Sequence, residues 1–149
     1  KGKHIITTTI EHHAILHTAQ WLEKKGYEIT YVNVDEDGKV KLDELEAAIR
    51  PDTILISVMA ANNEIGTIQP LKEIGAIARK HGVLFHTDAV QAFAHIPINV
   101  DEMNIDMLSA SGHKINGTYT TWVLNLSYVT WIIKMIHYFF AVHINISPL

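Results

Sequence analysis

The sequence predicts an α/β fold, with a mostly parallel sheet and helices on both of its faces. Short apolar or β-branched runs alternate along the chain with segments whose apolar residues recur at helical spacing. One of those runs, residues 53–58, is almost continuously apolar, as expected for a strand buried on both faces of a parallel sheet. These features extend over residues 1–117, whereas residues 118–149 form a tail whose structure the pattern does not predict.

The chain begins with a predicted strand, helix and strand. The β-branched run 5–9 favours a strand. Apolar residues at helical spacing follow, and that helix is expected to end at residues 24–26, where two lysines precede a glycine. Alternation over residues 27–34 indicates a second strand, which ends at the turn formed by residues 35–38.

The remaining elements repeat the alternation of helix and strand. A short helix over residues 42–49 is closed by Pro51, and the apolar strand 53–58 follows it. Apolar residues from Leu71 to Ala78 predict another helix, with basic residues and Gly82 at its end. Residues 83–86 and 106–109 are predicted as two further buried strands.

Composition excludes several classes of function. The 149 residues are 48% hydrophobic and 19% charged with a net charge of -4, so there is no basic footprint for nucleic acid or an anionic membrane. With no cysteine, the chain contains no disulfide, thiolate metal site or cysteine nucleophile. Its first residues do not have the pattern of a secretory signal, and a cytoplasmic location is expected.

Two short runs carry the chemistry of the sequence. The first, residues 85–91, ends a predicted strand with Asp88, and the second, residues 109–114, ends with Lys114 after a small, hydroxyl-rich turn. A lysine can form a Schiff base with pyridoxal phosphate, and an acid can keep the pyridine nitrogen of that cofactor protonated. Asn63 also follows a predicted strand, so the three residues are expected at the carboxyl edge of the sheet, where such folds bind ligands.

In these and neighbouring residues the chain resembles cysteine desulfurases of the NifS/IscS type, within the class V, fold type I pyridoxal phosphate enzymes. The match occurs in family order over residues 1–117, in the runs 4–7, 10–14, 52–59, 62–70, 85–91 and 109–114. The resemblance implies that residues 1–117 are part of the large, cofactor-binding domain. Residues 118–149 would be a divergent apolar tail.

The resemblance also implies roles for individual residues around pyridoxal 5'-phosphate. Lys114 would hold the cofactor as a Schiff base and move the substrate proton. Asp88 would pair with the pyridinium nitrogen, and Gln91 would hydrogen-bond the phenolic oxygen. His12 would stack on the ring and assist proton transfer, with His13 as the competing candidate.

Three further residues complete the implied cofactor site. Asn63 would lie near the substrate carboxylate and the cofactor oxygen, although the adjacent Asn62 could be the functional residue instead. Ser111 and His113 would lie on the phosphate side, where a hydroxyl, an imidazole and backbone N–H groups suit an anion. Thr87 has a weaker claim to the same role.

Each residue also has a structural interpretation. Asp88 precedes residues 89–92 and could simply be the N-cap of a helix. Asn63 or Asn62 could merely shape a turn. The histidines include one pair at helical spacing, His13 and His17, without a third ligand nearby, so no metal site is expected.

The implied activity is conversion of L-cysteine to L-alanine, with the sulfur passing as a persulfide to an acceptor in iron–sulfur cluster assembly. Relatives of this kind are homodimers. They also have an upstream Gly-Thr-rich phosphate loop and a downstream loop with the catalytic cysteine, neither of which is in the 149 residues. We therefore expect this chain alone to be inactive. The alternatives are a related class V enzyme, such as a selenocysteine lyase or an aminotransferase, and a non-catalytic binding module.

The tail has three interpretations. Residues 118–149 are rich in Ile, Tyr, Phe and Trp, with Lys134 as their one Lys or Arg. We favour out-of-frame or wrongly joined sequence, followed by a degenerate core segment. A membrane helix ranks last, because Lys134, His137 and Asn145 interrupt the apolar segment and would be costly in hydrocarbon.

Overall fold

The computed structural model describes residues 2–111 and the backbone of one further strand. Helices and strands alternate along this part of the chain. In order they are β1 (His4–Thr8), α1 (His13–Lys24), β2 (Glu28–Val32), α2 (Leu42–Ala47), β3 (Thr53–Ser57), α3 (Leu71–His81), β4 (Leu84–Asp88), β5 (Met107–Ser111) and β6 (Thr121–Asn125). The predicted α/β class is thereby confirmed.

The strands form one sheet in the order β2-β1-β3-β4-β5-β6. The first five pair in parallel, and β6 pairs with β5 antiparallel. From β1 the chain crosses to β2 in one direction, whereas β3, β4 and β5 extend in the other. The strand order therefore reverses between β1 and β3, and a crevice opens at the carboxyl ends of strands at such a point.

One face of the sheet is apolar and is covered by α2 and α3. Ile6, Ile56 and Phe85 lie on neighbouring strands and share a buried cluster with Leu45 of α2 and Ile74 of α3. All five side chains are fully buried. This cluster is the main hydrophobic core and keeps the three central strands in place.

Helix α1 has a separate set of buried residues, Ile15, Ala19 and Leu22, which do not belong to that cluster. The β1-α1-β2 crossover also runs in the opposite direction along the sheet from the β3-α3-β4 crossover. Right-handed crossovers that run in opposite directions place their helices on opposite faces. Helix α1 thus covers the second face of the sheet.

The second face carries a buried polar row made of Thr7, Ser57, His86 and Ser109. The Thr7 hydroxyl donates to the Ser57 carbonyl oxygen at 2.9 Å. Ser57 Oγ lies 2.8 Å from His86 Nδ1, and His86 Nε2 lies 2.9 Å from Ser109 Oγ. Both ring nitrogens of His86 therefore have a partner, and the row joins four neighbouring strands.

The structure differs from the sequence prediction at two places. No regular helix follows Asp88; the chain instead makes turns over residues 90–95, within which Ala94 adopts a left-handed φ of 64°. The strand β6 falls in the tail, where the sequence predicts no strand. It was missed because it is defined by its pairing with β5 and not by a pattern in its own residues. Other boundaries shift by one to three residues, as helix and strand ends commonly do.

Among the residues that the structure describes, no helix has the length and apolar character needed to cross a membrane. Most of the tail lies outside those residues.

Candidate active site

A cavity of about 300 Å³ opens where the strand order reverses. Residues 9–13, which follow β1, form one side of it. Met59 and residues 62–65, which follow β3, form the other, and Leu16 of α1 completes the lining. The cavity therefore lies where ligands bind in open parallel sheets, at the carboxyl ends of the strands on either side of the switch.

His12 stands at the entrance to α1 and lines this cavity. Its Nδ1 accepts a hydrogen bond from the backbone N–H of Ala14 at 3.2 Å and thus caps the helix. A nitrogen that accepts carries no proton, so in the neutral ring the proton is on Nε2. His12 is exposed, and its Nε2–H is a donor that a ligand can use.

His13, the competing candidate, is the first residue of α1 and also lines the cavity. The centroids of the His12 and His13 rings lie 6.2 Å apart. Only His12 has its ring held by a hydrogen bond to the backbone among the contacts of the described residues. This fixed orientation favours His12 over His13 as the functional residue.

Asp88 is the last residue of β4, and its carboxylate is mostly buried. Oδ1 accepts the backbone N–H of Val90 at 3.0 Å, so Asp88 closes a turn and is not the cap of a helix. Burial raises the pKa of this carboxyl, while the nearby His12 acts in the opposite direction. No ion pair involves Asp88 within the described part of the chain, so its charge is poorly compensated.

The two asparagines after β3 have different surroundings. Asn62 Oδ1 accepts the backbone N–H groups of Glu64 at 2.8 Å and Ile65 at 3.2 Å, and its Nδ2 donates to the Ile10 carbonyl at 3.0 Å. Asn63 is exposed on the same turn and lines the cavity. Asn62 therefore shapes the loop, which leaves the Asn63 amide available to a ligand.

Replacing Asn62 with alanine is expected to lower the free energy of unfolding by roughly 1–3 kcal/mol, because two backbone N–H groups and one carbonyl lose their partner. The matched change Asn63→Ala should alter it by less than about 0.5 kcal/mol, as for other exposed positions. Urea unfolding of both variants measures the difference. Equal losses of stability would contradict this division of roles.

The other predicted site residues lie at the same edge of the sheet or beyond it. Gln91 is half-buried in the turn after Asp88. Ser111 is buried at the carboxyl end of β5. Thr87 is fully buried, and its hydroxyl donates to the Val58 carbonyl at 2.9 Å, so its proton is used within the sheet. His113 and Lys114 lie outside the described residues.

Two residues near the site were not singled out from the sequence. Glu11, which lines the cavity, is buried at the end of β1, and His86 is buried two residues before Asp88. Burial lowers the pKa of His86 to about 4, so the imidazole is neutral. His86 follows the apolar residues 83–85, whereas Glu11 lies among polar residues, and only the pairing of the strands shows that both are buried.

No group of three or more His, Cys, Asp or Glu side chains within residues 2–111 could hold a metal ion. The rings of His13 and His17 lie 5.7 Å apart at their centroids, without a third ligand in the described part of α1 or its surroundings.

Comparison with known proteins gives a consistent result. The family model for class V aminotransferases matches residues 1–125. The chain is 65% identical over 117 residues to cysteine desulfurase IscS of Methanosarcina thermophila, which covers 78% of this chain and 29% of that protein. It is 55% identical over 137 residues to cysteine desulfurase IscS of Clostridium botulinum (strain Hall), which covers 92% of this chain and 34% of that protein.

A solved structure described as SspA in complex with cysteine superposes with a TM-score of 0.79 at 45% sequence identity. The superposition covers 82% of this chain and 35% of that chain. The chain thus spans about a third of the length of the proteins that it matches here.

Proposed function

This chain belongs to the class V aminotransferase family, and on that premise we propose that it is a segment of a pyridoxal phosphate-dependent cysteine desulfurase. The observation that carries the proposal is the meeting of His12 and Asn63 at one cavity, at the reversal of strand order, with Asp88 close enough to interact electrostatically with His12. Sequence identity of 65% to a cysteine desulfurase supports the same conclusion.

The environment of Asp88 fits the cofactor. A mostly buried carboxylate with a single hydrogen bond and no ion pair among the described residues favours a cationic partner. The protonated pyridine nitrogen of pyridoxal phosphate would be such a partner, and the cofactor, when bound, supplies an electron sink for the substrate carbon. Asp88 would hold the ring nitrogen in its protonated form.

The remaining residues are assigned roles around that partner. His12 would present Nε2–H to the ligand, because Nδ1 is already used in capping α1. Asn63 would donate its amide to a substrate carboxylate, Gln91 would hydrogen-bond the phenolic oxygen, and Ser111 with His113 would bind the phosphate. Lys114 would hold the cofactor covalently and move the proton at the substrate α-carbon.

The proposed overall reaction converts L-cysteine and a thiol into L-alanine and a persulfide. The carbon–sulfur bond of the substrate breaks, a sulfur–sulfur bond forms on the thiol, and the former β-carbon gains a proton. The thiol lies outside the 149 residues, which contain no cysteine. The persulfide sulfur would pass to an acceptor protein in iron–sulfur cluster assembly, and the complete protein would work as a cytoplasmic homodimer.

Binding of pyridoxal phosphate tests this proposal. We expect saturable binding of one cofactor per chain, weakened about 10- to 100-fold by Asp88→Ala, since a charge-assisted hydrogen bond contributes roughly 1.5–3 kcal/mol. The exposed Asp101→Ala is the matched control and should bind as tightly as the unaltered chain. Equilibrium dialysis measures all three affinities.

Equal affinities for all three proteins, or no saturable binding, would reject the assigned site. A related class V enzyme is the second candidate, and it is favoured if L-selenocysteine perturbs the absorption of the bound cofactor and L-cysteine does not.

A further inference from the structure

Glu11 is an acidic residue that is buried although one of its carboxyl oxygens has no hydrogen-bond partner. Its side chain lies at the carboxyl end of β1, only 5% exposed. Oε1 accepts two hydrogen bonds, from Thr8 Oγ1 at 2.6 Å and from the backbone N–H of Met59 at 2.9 Å. Oε2 is fully buried and has no hydrogen-bond partner.

This arrangement suits a carboxylic acid better than a carboxylate. An ionised carboxylate spreads its charge over both oxygens, and a buried charge without donors on one oxygen is costly. A proton on Oε2 removes the charge and leaves Oε1 as the carbonyl-type acceptor that Thr8 and Met59 already use. The neutral hydroxyl on Oε2 still has no partner, but it costs far less to bury than a charge.

The charges around Glu11 act in the same direction. Asp88 at the end of β4 repels a second negative charge there. The other titratable residues of the cavity lining are His12, His13 and Glu64, and none of them forms an ion pair with Glu11. Burial is the largest influence on the pKa of this carboxyl, and it acts in the same direction as Asp88.

We propose that Glu11 is a positioning residue held as the neutral acid, whose hydrogen bonds join the ends of β1 and β3 and fix the backbone that carries His12. The protonated state is inferred only from the burial and the contacts of Glu11. The consequence for His12 as a functional residue rests on the proposed function.

The pH dependence of stability follows from this state. Burial raises the pKa of Glu11 to about 8 in the folded protein, against 4.5 for an unperturbed glutamic acid. The folded state therefore binds the extra proton between these values, and stability falls as the pH rises through this window. His86 and His4, whose pKa values are lowered by burial, act in the opposite direction, chiefly below pH 6.5, where an unfolded imidazole is mostly protonated.

Glu11→Gln and Glu11→Ala form the test pair, because glutamine keeps the carbonyl acceptor and replaces the protonated oxygen with a neutral donor. Between about pH 6.5 and 8 the unfolding constant of the unaltered chain should rise by up to about tenfold per pH unit. Glu11→Gln should flatten this dependence and remain folded, whereas Glu11→Ala should be destabilised at every pH. Asp88→Asn is the control, because burial also raises the pKa of the Asp88 carboxyl. In this variant the steep dependence of stability on pH should persist.

Carbon-13 NMR of the cofactor-free chain gives a direct readout, with the Glu11 carboxyl signal assigned by its loss in Glu11→Gln. We expect that signal to titrate several pH units above the other glutamates. The His12 ring nitrogen signals should shift in Glu11→Ala and be restored in Glu11→Gln, which a merely space-filling residue would not produce.

A Glu11 carboxyl that titrates with the surface glutamates would overturn the proposal. So would a Glu11→Gln chain as unstable as Glu11→Ala. Both readouts are made without cofactor. If Glu11 behaves as expected in them but the chain does not bind pyridoxal phosphate, the proposed function is rejected and the proposal for Glu11 stands.

Discussion

Replacing Lys114 with alanine is expected to abolish covalent capture of pyridoxal phosphate by this chain. Borohydride reduces the bond between a lysine and the cofactor to a stable secondary amine, which adds a fixed mass to the labelled peptide. In the unaltered chain the label should reach one per molecule on the peptide that contains Lys114. The all-or-none loss expected in Lys114→Ala makes this the largest effect among the predictions.

The position of Lys114 explains why one lysine should dominate. It comes three residues after β5 ends at Ser111, and β5 pairs with β4 so that Ser109 lies opposite Asp88. A lysine that follows this strand end can reach the same edge of the sheet as Asp88. Lys24, Lys72 and Lys80, by contrast, lie on helices α1 and α3.

Lys72, exposed in the first turn of α3, provides the matched control. Lys72→Ala should retain the full label on the Lys114 peptide. Mass spectrometry after reduction distinguishes a site-directed label from random surface reaction. A label spread over several lysines, or one that survives Lys114→Ala, would exclude Lys114 as the attachment point.

Replacing Phe85 with alanine should lower the free energy of unfolding by about 3–5 kcal/mol. Phe85 is fully buried, and its strand β4 lies beside β3, where Ile56 is its partner in register. The substitution removes most of a large side chain from the core shared by the sheet, α2 and α3, and the surrounding backbone is too well paired to close the space. Domains of this size are stable by only about 5–15 kcal/mol, so the variant should be at the margin of folding.

Phe93, half-buried at the edge of the same core, is the comparison for this experiment. Phe93→Ala should cost less than half as much, because less of its surface is removed from water. Chemical denaturation followed by circular dichroism gives both values. Similar losses for the two variants would show that the core is not centred on β4.

Much of the fold is predictable from residue pattern. The run 54–56 in β3 is continuously apolar, as expected for a strand covered on both faces, and this distinguishes β3 from the alternating β2. The strand ends then place Asn63 and Asp88 at one edge without any knowledge of pairing. The strand β6 has no such pattern and exists through its partner β5.

The site was less predictable because chemistry there depends on contacts between distant segments. Asn62 and Asn63 are the same residue type, and the hydrogen bonds of Asn62 distinguish the residue that shapes the loop from the one that faces the cavity. The bond to the Ile10 carbonyl is the long-range one among them. Glu11 is an acid beside a histidine until the N–H of Met59 is placed against it. Such pairs join residues about fifty positions apart, beyond the reach of local periodicity.

The buried polar row of the second face has a consequence for how the sheet assembles. Apolar strands rich in Ile and Leu are tolerant of sliding, since one branched side chain replaces another at little cost. Displacing β4 by one residue would turn His86 to the opposite face, among Ile56, Leu108 and their neighbours, and leave its two ring nitrogens without the Ser57 and Ser109 hydroxyls. His86 thus helps to fix the register of β4. A sheet with β4 shifted by one residue would contain a buried imidazole without hydrogen-bond partners, and the native register avoids this cost.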